Sequence, residues 1–191
     1  RSFNNIYLVM YVMAMILKGE ELDELDRFFA MAETVYRRLD EQARMIVEKM
    51  ENPRITTLGA GVQYGAVIAG AYILVEMAQL LSSFYQTLEF RHGPIVTAKE
   101  GSWIFISSLN EENANLENGL IREIVAQKAN VVLFGRHQDV PDVVNVNIPE
   151  FSDEMRGSLF TTFMQLIAYH FSLKLGLNPD KPGELNRYIT Y

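Results

Sequence analysis

The chain has no cysteine among its 191 residues, and it has no excess of basic residues. The missing thiols exclude disulfide bonds, thiolate zinc sites and a catalytic cysteine, and they fit a cytoplasmic protein. The 17 lysines and arginines are scattered and outnumbered by 24 acidic residues, which gives a net charge of −7. Because a nucleic-acid-binding surface usually shows a basic patch, this composition argues against a nucleic-acid partner.

The sequence also lacks an apolar run long enough to cross a bilayer, which needs roughly 20 residues. The longest candidate, "IYLVMYVMAMIL" from Ile6 to Leu17, is followed by "KGEELDEL" and not by the small residues of a signal-peptide cleavage site. We therefore expect no membrane association. The run predicts a helix buried on most of its surface. Since the chain starts without methionine, we expect the helix to pack on a part of a longer protein.

A long amphipathic helix is predicted from Glu20 to about Met50, because apolar residues recur there at spacings of three and four on a polar background. The sequence "ENPR" ends it, since proline disfavours helix at the preceding residue. The first fifty residues therefore contain two helices and no strand.

After Pro53 the pattern alternates between strands and helices. Five short β-rich runs, mostly of continuous apolar residues, are separated by helical segments, and this pattern predicts an α/β fold with a mainly parallel five-stranded sheet covered on both faces. Asn110 and Ser152 are predicted N-caps, and Gly176 is the predicted stop of the last helix. The predicted strands are "ITTLGAG", "LSSFYQ", "SWIFISSL", "NVVLFG" and "VVNVNIP". The helix after the first strand is rich in small residues that allow close packing, namely Gly65, Ala66, Ala69, Gly70 and Ala71.

Two loops follow predicted strands and could lie at the carboxyl edge of the sheet, where such folds bind ligands. The first, "LGAG" with Gly59 and Gly61, is either a backbone anion site at a helix N-terminus or a structural turn. The second, "EFRHGP", holds His92, one of three histidines. It is either a polar turn or a loop that presents His92 to a substrate.

The segment "TLGAGVQYGAVIAGAYILVEMAQLLSSFYQTLEFRHGP" resembles the start of the second sugar isomerase (SIS) domain of two-domain phosphosugar enzymes. That family has a strand, an "LGxGxxYG" turn, a long helix with a glutamate and an "E-x-x-H-G-P" loop. The last helix and the tail "NPDKPGELNRYITY" resemble the end of the same domain. The resemblance implies a three-layer, flavodoxin-like second SIS domain over residues 53–191, preceded by a helical connector and the end of a first SIS domain over residues 1–52.

The relatives implied are the isomerase half of glucosamine-6-phosphate synthase, fructosamine-6-phosphate deglycases and amino-sugar-phosphate isomerases. The synthase has a glutamate base sixteen residues before the loop histidine, and that position here is Glu76. Apolar neighbours would raise the pKa of this carboxyl group, as a general base requires; alternatively, Glu76 is an exposed acid on the outer helix face. His92 matches the ring-opening histidine, which the synthase takes from a neighbouring subunit, or it holds the loop through a backbone hydrogen bond.

The remaining titratable residues receive other roles. We expect Glu89 to brace the loop, against Arg91, and His170 to be packed or capping; His137 lies in a polar loop and receives no role. The family's closing segment implies that Arg187 contacts substrate. The resemblance also implies a sugar phosphate as substrate, a homodimer, and no metal or cofactor.

Two positions depart from the synthase pattern. Arg187 and Ile73 stand where the synthase has lysines, and arginine cannot form the imine that the tail lysine forms with the open sugar. The deglycase and deaminase branches therefore fit better, with Arg187 binding substrate oxygens or a phosphate. The family's Ser/Thr-rich phosphate loop belongs to the first SIS domain and has no equivalent here.

Two functions stay open on the sequence. One is an enzyme that isomerises, deaminates or deglycates an amino-sugar 6-phosphate. The other is a non-catalytic SIS module that binds a sugar phosphate in a regulator. The acid on the long helix and the histidine in the following loop favour the enzyme.

Overall fold

The computed structural model of the chain describes residues 2–108, 111–135 and 140–181. Two helices come first, followed by alternating strands and helices. Short 3-10 turns lie at Glu89–Arg91, Pro94–Thr97 and Glu111–Asn113. The main elements are α1 (Ser2–Lys18), α2 (Asp23–Glu48), β1 (Arg54–Gly59), α3 (Gln63–Ala78), β2 (Ser82–Gln86), β3 (Ser102–Ser107), α4 (Ala114–Ala126), β4 (Asn130–Gly135), β5 (Val143–Asn147) and α5 (Asp153–Lys174).

The five strands form one parallel sheet in the order β2-β1-β3-β4-β5. Strand β3 shows why its sequence is apolar without a break. Trp103 and Phe105 belong to one core cluster, and Ile104 and Ile106 belong to the other. Since both faces are covered, neither can be polar. The predicted α/β fold with a five-stranded parallel sheet and three layers is confirmed.

Helices α2, α3 and α5 cover one face of the sheet, and α4 covers the other together with the loop that follows β2. Helix α3 approaches α5 closely at Gly70, where an added Cβ would lie 2.8 Å from Met164 Cγ. Ala66 and Ala71 are buried in the same helix, whereas Gly65 is exposed. The close packing predicted from small residues is confirmed on the buried side of α3.

Helix α2 is amphipathic, as predicted. Its side chains at spacings of three and four are buried against the domain, while the apolar side chain of Phe29 is 56% exposed. His170 of α5 places Nε2 2.7 Å from Asp40 Oδ1 of α2, and its side chain is 15% exposed. The prediction that His170 is a packed residue is confirmed. The buried residues of α2 are Phe28, Val35, Leu39, Ala43, Ile46 and Val47.

Both predicted ends of α5 are confirmed, because Ser152 Oγ accepts from the Met155 N–H at 3.3 Å and Gly176 follows the helix with φ +72°. Glu24 of α2 also reaches this N-terminus. Its carboxylate accepts from the N–H and the hydroxyl of Ser152, each at 2.6 Å, and from the Tyr11 hydroxyl at 3.1 Å. One carboxylate therefore joins the two N-terminal helices to the domain.

The expectation that α1 is buried on most of its surface is wrong for the part of the chain that the structure describes. Ile6, Met10 and Leu17 are 63%, 60% and 85% exposed, because α1 packs only by one side on α5 and α2. On the packed side, the Tyr7 hydroxyl donates to the Glu154 carbonyl at 2.5 Å. Burial, and then the negative charge of Glu154, raises the pKa of Tyr7 to about 12. No helix in the described ranges is both long and apolar enough to cross a membrane.

Candidate functional site

The turn between β1 and α3 is closed by its own backbone. The N–H groups of Gln63 and Tyr64 donate to the carbonyls of Ala60 and Gly61 at 3.1 and 3.2 Å. Gly61 has φ +56°, a conformation that favours glycine. A Cβ at Gly59 would lie 2.8 Å from a methyl group of α3, Val67 Cγ1. These contacts account for both glycines as parts of a structural turn, and a role in substrate binding stays a prediction.

Glu76 lies in the last part of α3 and is exposed. The adjacent Val75 is 41% exposed, and Tyr72, one turn earlier, is 56% exposed. Leu74 is fully buried and points into the core away from this surface. The described residues therefore do not form the apolar enclosure expected for Glu76, and they leave its carboxylate open to a ligand.

His92 ends the first 3-10 turn after β2 and is exposed. The main-chain N–H of His92 donates to the Glu89 carbonyl at 3.0 Å, a bond that does not involve the side chain, and the imidazole is accessible. The side chain of Phe90 is fully buried beneath this turn. The loop therefore has an apolar anchor and presents His92 outward.

The expected pairing of Glu89 with Arg91 is wrong. Arg91 instead makes a two-pronged ion pair with Glu123 of α4: Nε donates to Oε2 at 2.9 Å, and Nη2 donates to Oε1. This hydrogen bonding raises the pKa of Arg91 and lowers the pKa of Glu123. The carboxylate of Glu89 is exposed, and the loop is braced by α4.

Glu76 and His92 lie at opposite ends of the sheet. The hydroxyl of Ser82, the first residue of β2, donates to the Ala71 carbonyl at 2.7 Å, so the amino edge of the sheet is level with Ala71 of α3. Glu76 lies five residues further, about 7.5 Å beyond that level at 1.5 Å per residue. His92 follows Gln86, the last residue of β2, at the carboxyl edge. A single chain therefore does not bring the two predicted catalytic residues together.

A buried polar cluster lies near the carboxyl ends of β1 and β3, beside the position where the strand order reverses. Gln63 accepts from the Ser107 hydroxyl at 2.9 Å and donates to the Asp153 carbonyl. Arg156 donates to the Ser108 carbonyl at 2.9 Å and to Asp153 Oδ1 at 2.6 Å. These side chains link the N-terminus of α5 to the crevice in which parallel sheets commonly bind ligands.

Sequence reasoning missed this cluster. The available signal was the occurrence of Gln63 and Arg156 within otherwise apolar helical faces, since both are buried, at 2% and 6% exposure. Other predictions lie outside the described residues: the substrate contact of Arg187, the cap at Asn110, the loop position of His137 and the fold of the tail after Lys181.

Comparisons with known proteins agree on one family. A family model for the SIS domain matches residues 50–172. A glutamine–fructose-6-phosphate aminotransferase (isomerizing) from Thermotoga maritima is 27% identical over 176 residues, which is 90% of this chain and 29% of that protein. The chain therefore spans under a third of the length of this relative.

Solved structures show the same fold. A glucosamine-6-phosphate deaminase from Thermotoga maritima superposes with a TM-score of 0.80 at 23% identity, covering 97% of this chain and 55% of that one. A tagatose-6-phosphate ketose/aldose isomerase from Escherichia coli gives 0.62 at 24% identity, covering 69% and 38%. Since the family model covers more than half of the chain and ends within α5, this chain belongs to the SIS domain family.

Proposed function

We propose that this chain is the second SIS domain of an enzyme that isomerises, deaminates or deglycates an amino-sugar 6-phosphate. The observation that carries the proposal is that a SIS domain here has both an exposed glutamate on α3 and an exposed histidine in the loop after β2. Relatives by sequence include an isomerizing fructose-6-phosphate aminotransferase, and relatives by fold include a glucosamine-6-phosphate deaminase and a ketose/aldose isomerase. All three names describe chemistry at C1 and C2 of a hexose phosphate.

Glu76 is the proposed general base. Moving a proton between C1 and C2 needs a carboxylate or imidazole within hydrogen-bond reach of the substrate, roughly 2.6–3.2 Å. The exposure of Glu76 supports this role, because a substrate can reach its carboxylate without a rearrangement of α3.

His92 is the proposed ring-opening residue. Imidazole titrates near neutrality, so it can pass a proton to the ring oxygen of a closed sugar. Its backbone is fixed by the bond to Glu89, while the ring is free to meet a ligand. Arg187 is proposed to bind oxygens or the phosphate of the substrate through its planar fork of donors.

We further propose that the active site is shared between copies of the protein. Glu76 and His92 lie beyond opposite edges of the sheet, which supports a site that takes each residue from a different subunit. The large exposed apolar side chains of α1 support association, because soluble proteins rarely leave extended apolar patches uncovered. The expected assembly is a homodimer.

Deuterium wash-in tests the reaction. The intact protein should exchange the C1 or C2 hydrogen of fructose 6-phosphate or fructosamine 6-phosphate with solvent deuterium, as read by mass spectrometry. Glu76→Gln should slow exchange by about 10²–10⁴ while leaving binding largely unchanged, because the amide keeps the shape but accepts no proton. Glu89→Gln, in an exposed acid of the His92 loop, is the matched control and should exchange like the wild type.

Two results would change the proposal. Full exchange by Glu76→Gln would make Glu76 the wrong base and leave Glu89 as the next candidate. Binding of both sugar phosphates without any exchange by the wild type would favour a sugar-phosphate-binding module of a regulator.

A further inference from the structure

The loop that carries His92 is fastened to α4 at two places. The first is the ion pair between Arg91, which directly precedes His92, and Glu123. The second is Gln127: with its amide nitrogen turned toward the loop, it donates to the carbonyls of Ile95 at 3.1 Å and Ala98 at 2.9 Å. Gln127 is the C-cap residue directly after α4 and is four residues from Glu123, so both lie on the same side at the end of this helix.

The rest of the loop is held mainly by short-range bonds. The N–H groups of Arg91 and His92 donate to carbonyls three residues earlier, and those of Val96 and Ala98 do the same. Gly93, directly after His92, has φ +121°, so the chain turns sharply there. Such local bonds shape each turn but do not fix its position on the domain. The position is set by the core contacts of Phe90, Ile95 and Ala98 and by α4.

The ion pair fixes direction as well as distance. A guanidinium and a carboxylate that share two parallel hydrogen bonds lie in a common plane, which restricts rotation about the Arg91 side chain. Because His92 is the next residue, a tilt of Arg91 would move the imidazole of His92. The two donors of Gln127 hold the far side of the loop, so His92 and Gly93 lie between two fixed points.

We propose that Glu123 and Gln127 are positioning residues for His92, and that α4 thereby sets the angle at which the imidazole meets the ring oxygen of the substrate. This inference rests on the proposed ring-opening role of His92. It assigns a role to two residues that act through the loop and that follow β3, in a different part of the sequence.

The proposed role makes a prediction that a purely structural role does not. A misplaced His92 should slow ring opening and leave proton transfer unaffected, so closed-ring and open-chain substrates should respond differently. The comparison uses fructose 6-phosphate and 5-deoxyfructose 6-phosphate, which lacks the hydroxyl group needed to close the ring. Deuterium exchange is measured on both with the intact protein.

Glu123→Gln should slow exchange of fructose 6-phosphate roughly 10- to 100-fold through kcat, the range expected for a small misplacement of a catalytic group. Exchange of the 5-deoxy analogue should stay near the wild-type rate. Gln127→Ala should act in the same direction, and the exchanged pair Arg91→Glu with Glu123→Arg should recover part of the lost rate. Glu112→Gln, in an exposed acid before α4, is the control and should leave both rates unchanged.

The outcomes distinguish the positioning role of Glu123 and Gln127 from the ring-opening role of His92. If His92→Asn slows the closed-ring substrate while Glu123→Gln and Gln127→Ala do not, the positioning role is refuted and the role of His92 stands. If Glu123→Gln slows both substrates equally, its effect is not on ring opening and the inference is refuted. If His92→Asn has no effect on either substrate, the ring-opening role fails, and the positioning role fails with it. Thermal melting of each variant should match the control, because an exposed ion pair contributes little to stability.

Discussion

The contact between α3 and α5 depends on the absence of a side chain at Gly70. An ideal Cβ at this position would lie 2.8 Å from Cγ and 3.1 Å from Cβ of Met164, and 3.4 Å from Phe160. These atoms lie near the backbone of α5, so Met164 cannot avoid the new methyl group by moving only its end. Gly65, in the same helix, has nothing within 4 Å of an added Cβ. The two glycines provide a matched pair for one substitution, glycine to alanine.

Gly65→Ala and Gly70→Ala should change the free energy of unfolding in opposite directions. Replacing a helical glycine by alanine stabilises by about 0.5–1 kcal/mol, because glycine loses more backbone freedom on folding. At Gly65 this gain should appear alone. At Gly70 it is opposed by an overpacking cost of about 1–3 kcal/mol, so the net change should be destabilising. The backbone contribution cancels when the two variants are compared, which leaves a difference of about 2 kcal/mol from the Met164 contact.

Thermal denaturation of the intact protein measures this difference. For a domain of this size about 1 kcal/mol corresponds to roughly 2–4 °C, so Gly70→Ala should melt about 4–8 °C below Gly65→Ala. Adding Met164→Ala to Gly70→Ala should reduce the cost attributed to Gly70, since it removes the clashing atom beyond Cβ. Equal melting temperatures for Gly70→Ala and Gly65→Ala would refute the inferred packing of α3 on α5.

Two further predictions concern the N-terminal helices. Glu24→Ala should destabilise the protein by about 2 kcal/mol, because Ser152 and Tyr11 lose a charged hydrogen-bond acceptor. Asp26 is an exposed acid in the same helical turn, so Asp26→Ala is the control and should melt near the wild type. A similar loss of stability in both variants would contradict this role of Glu24. Tyr7 should ionise near pH 12, so the folded state keeps a proton that the unfolded state releases from about pH 10. The wild type should therefore lose stability as the pH rises through this window. Tyr7→Phe should lose less stability over the same pH range. An ultraviolet titration of this variant should lack the phenol that the wild type titrates near pH 12. If the titration curves of the two proteins are the same, the burial of Tyr7 is contradicted.

Much of the fold was predictable because the two faces of the sheet impose simple patterns. The continuous apolar run of β3 reflects burial on both sides, and the spacing of three and four in α2 reflects burial on one. Ser152 and Gly176 marked the ends of α5 through local chemistry alone. These features depend on residues close in sequence or on a repeating environment.

The features that could not be predicted depend on distant partners. Arg91 was expected to pair with Glu89, two residues away, but its partner lies 32 residues later on α4. The apolar sequence of α1 gave no indication of how little of that helix this chain itself covers. Gln63 and Arg156 are polar residues on apolar helices, and only the fold places both at the carboxyl edge of the sheet.

The proposed active site combines Glu76 of one copy with His92 of another. Mixing Glu76→Gln protein with His92→Asn protein, after reversible dissociation, tests it most directly by deuterium exchange into fructose 6-phosphate. A shared site predicts that two nearly inactive proteins regain about a quarter of the wild-type rate, because half of the randomly formed dimers carry one intact site. If mixing restores no activity although the subunits demonstrably exchange, the two residues do not meet between copies, and the shared site is refuted.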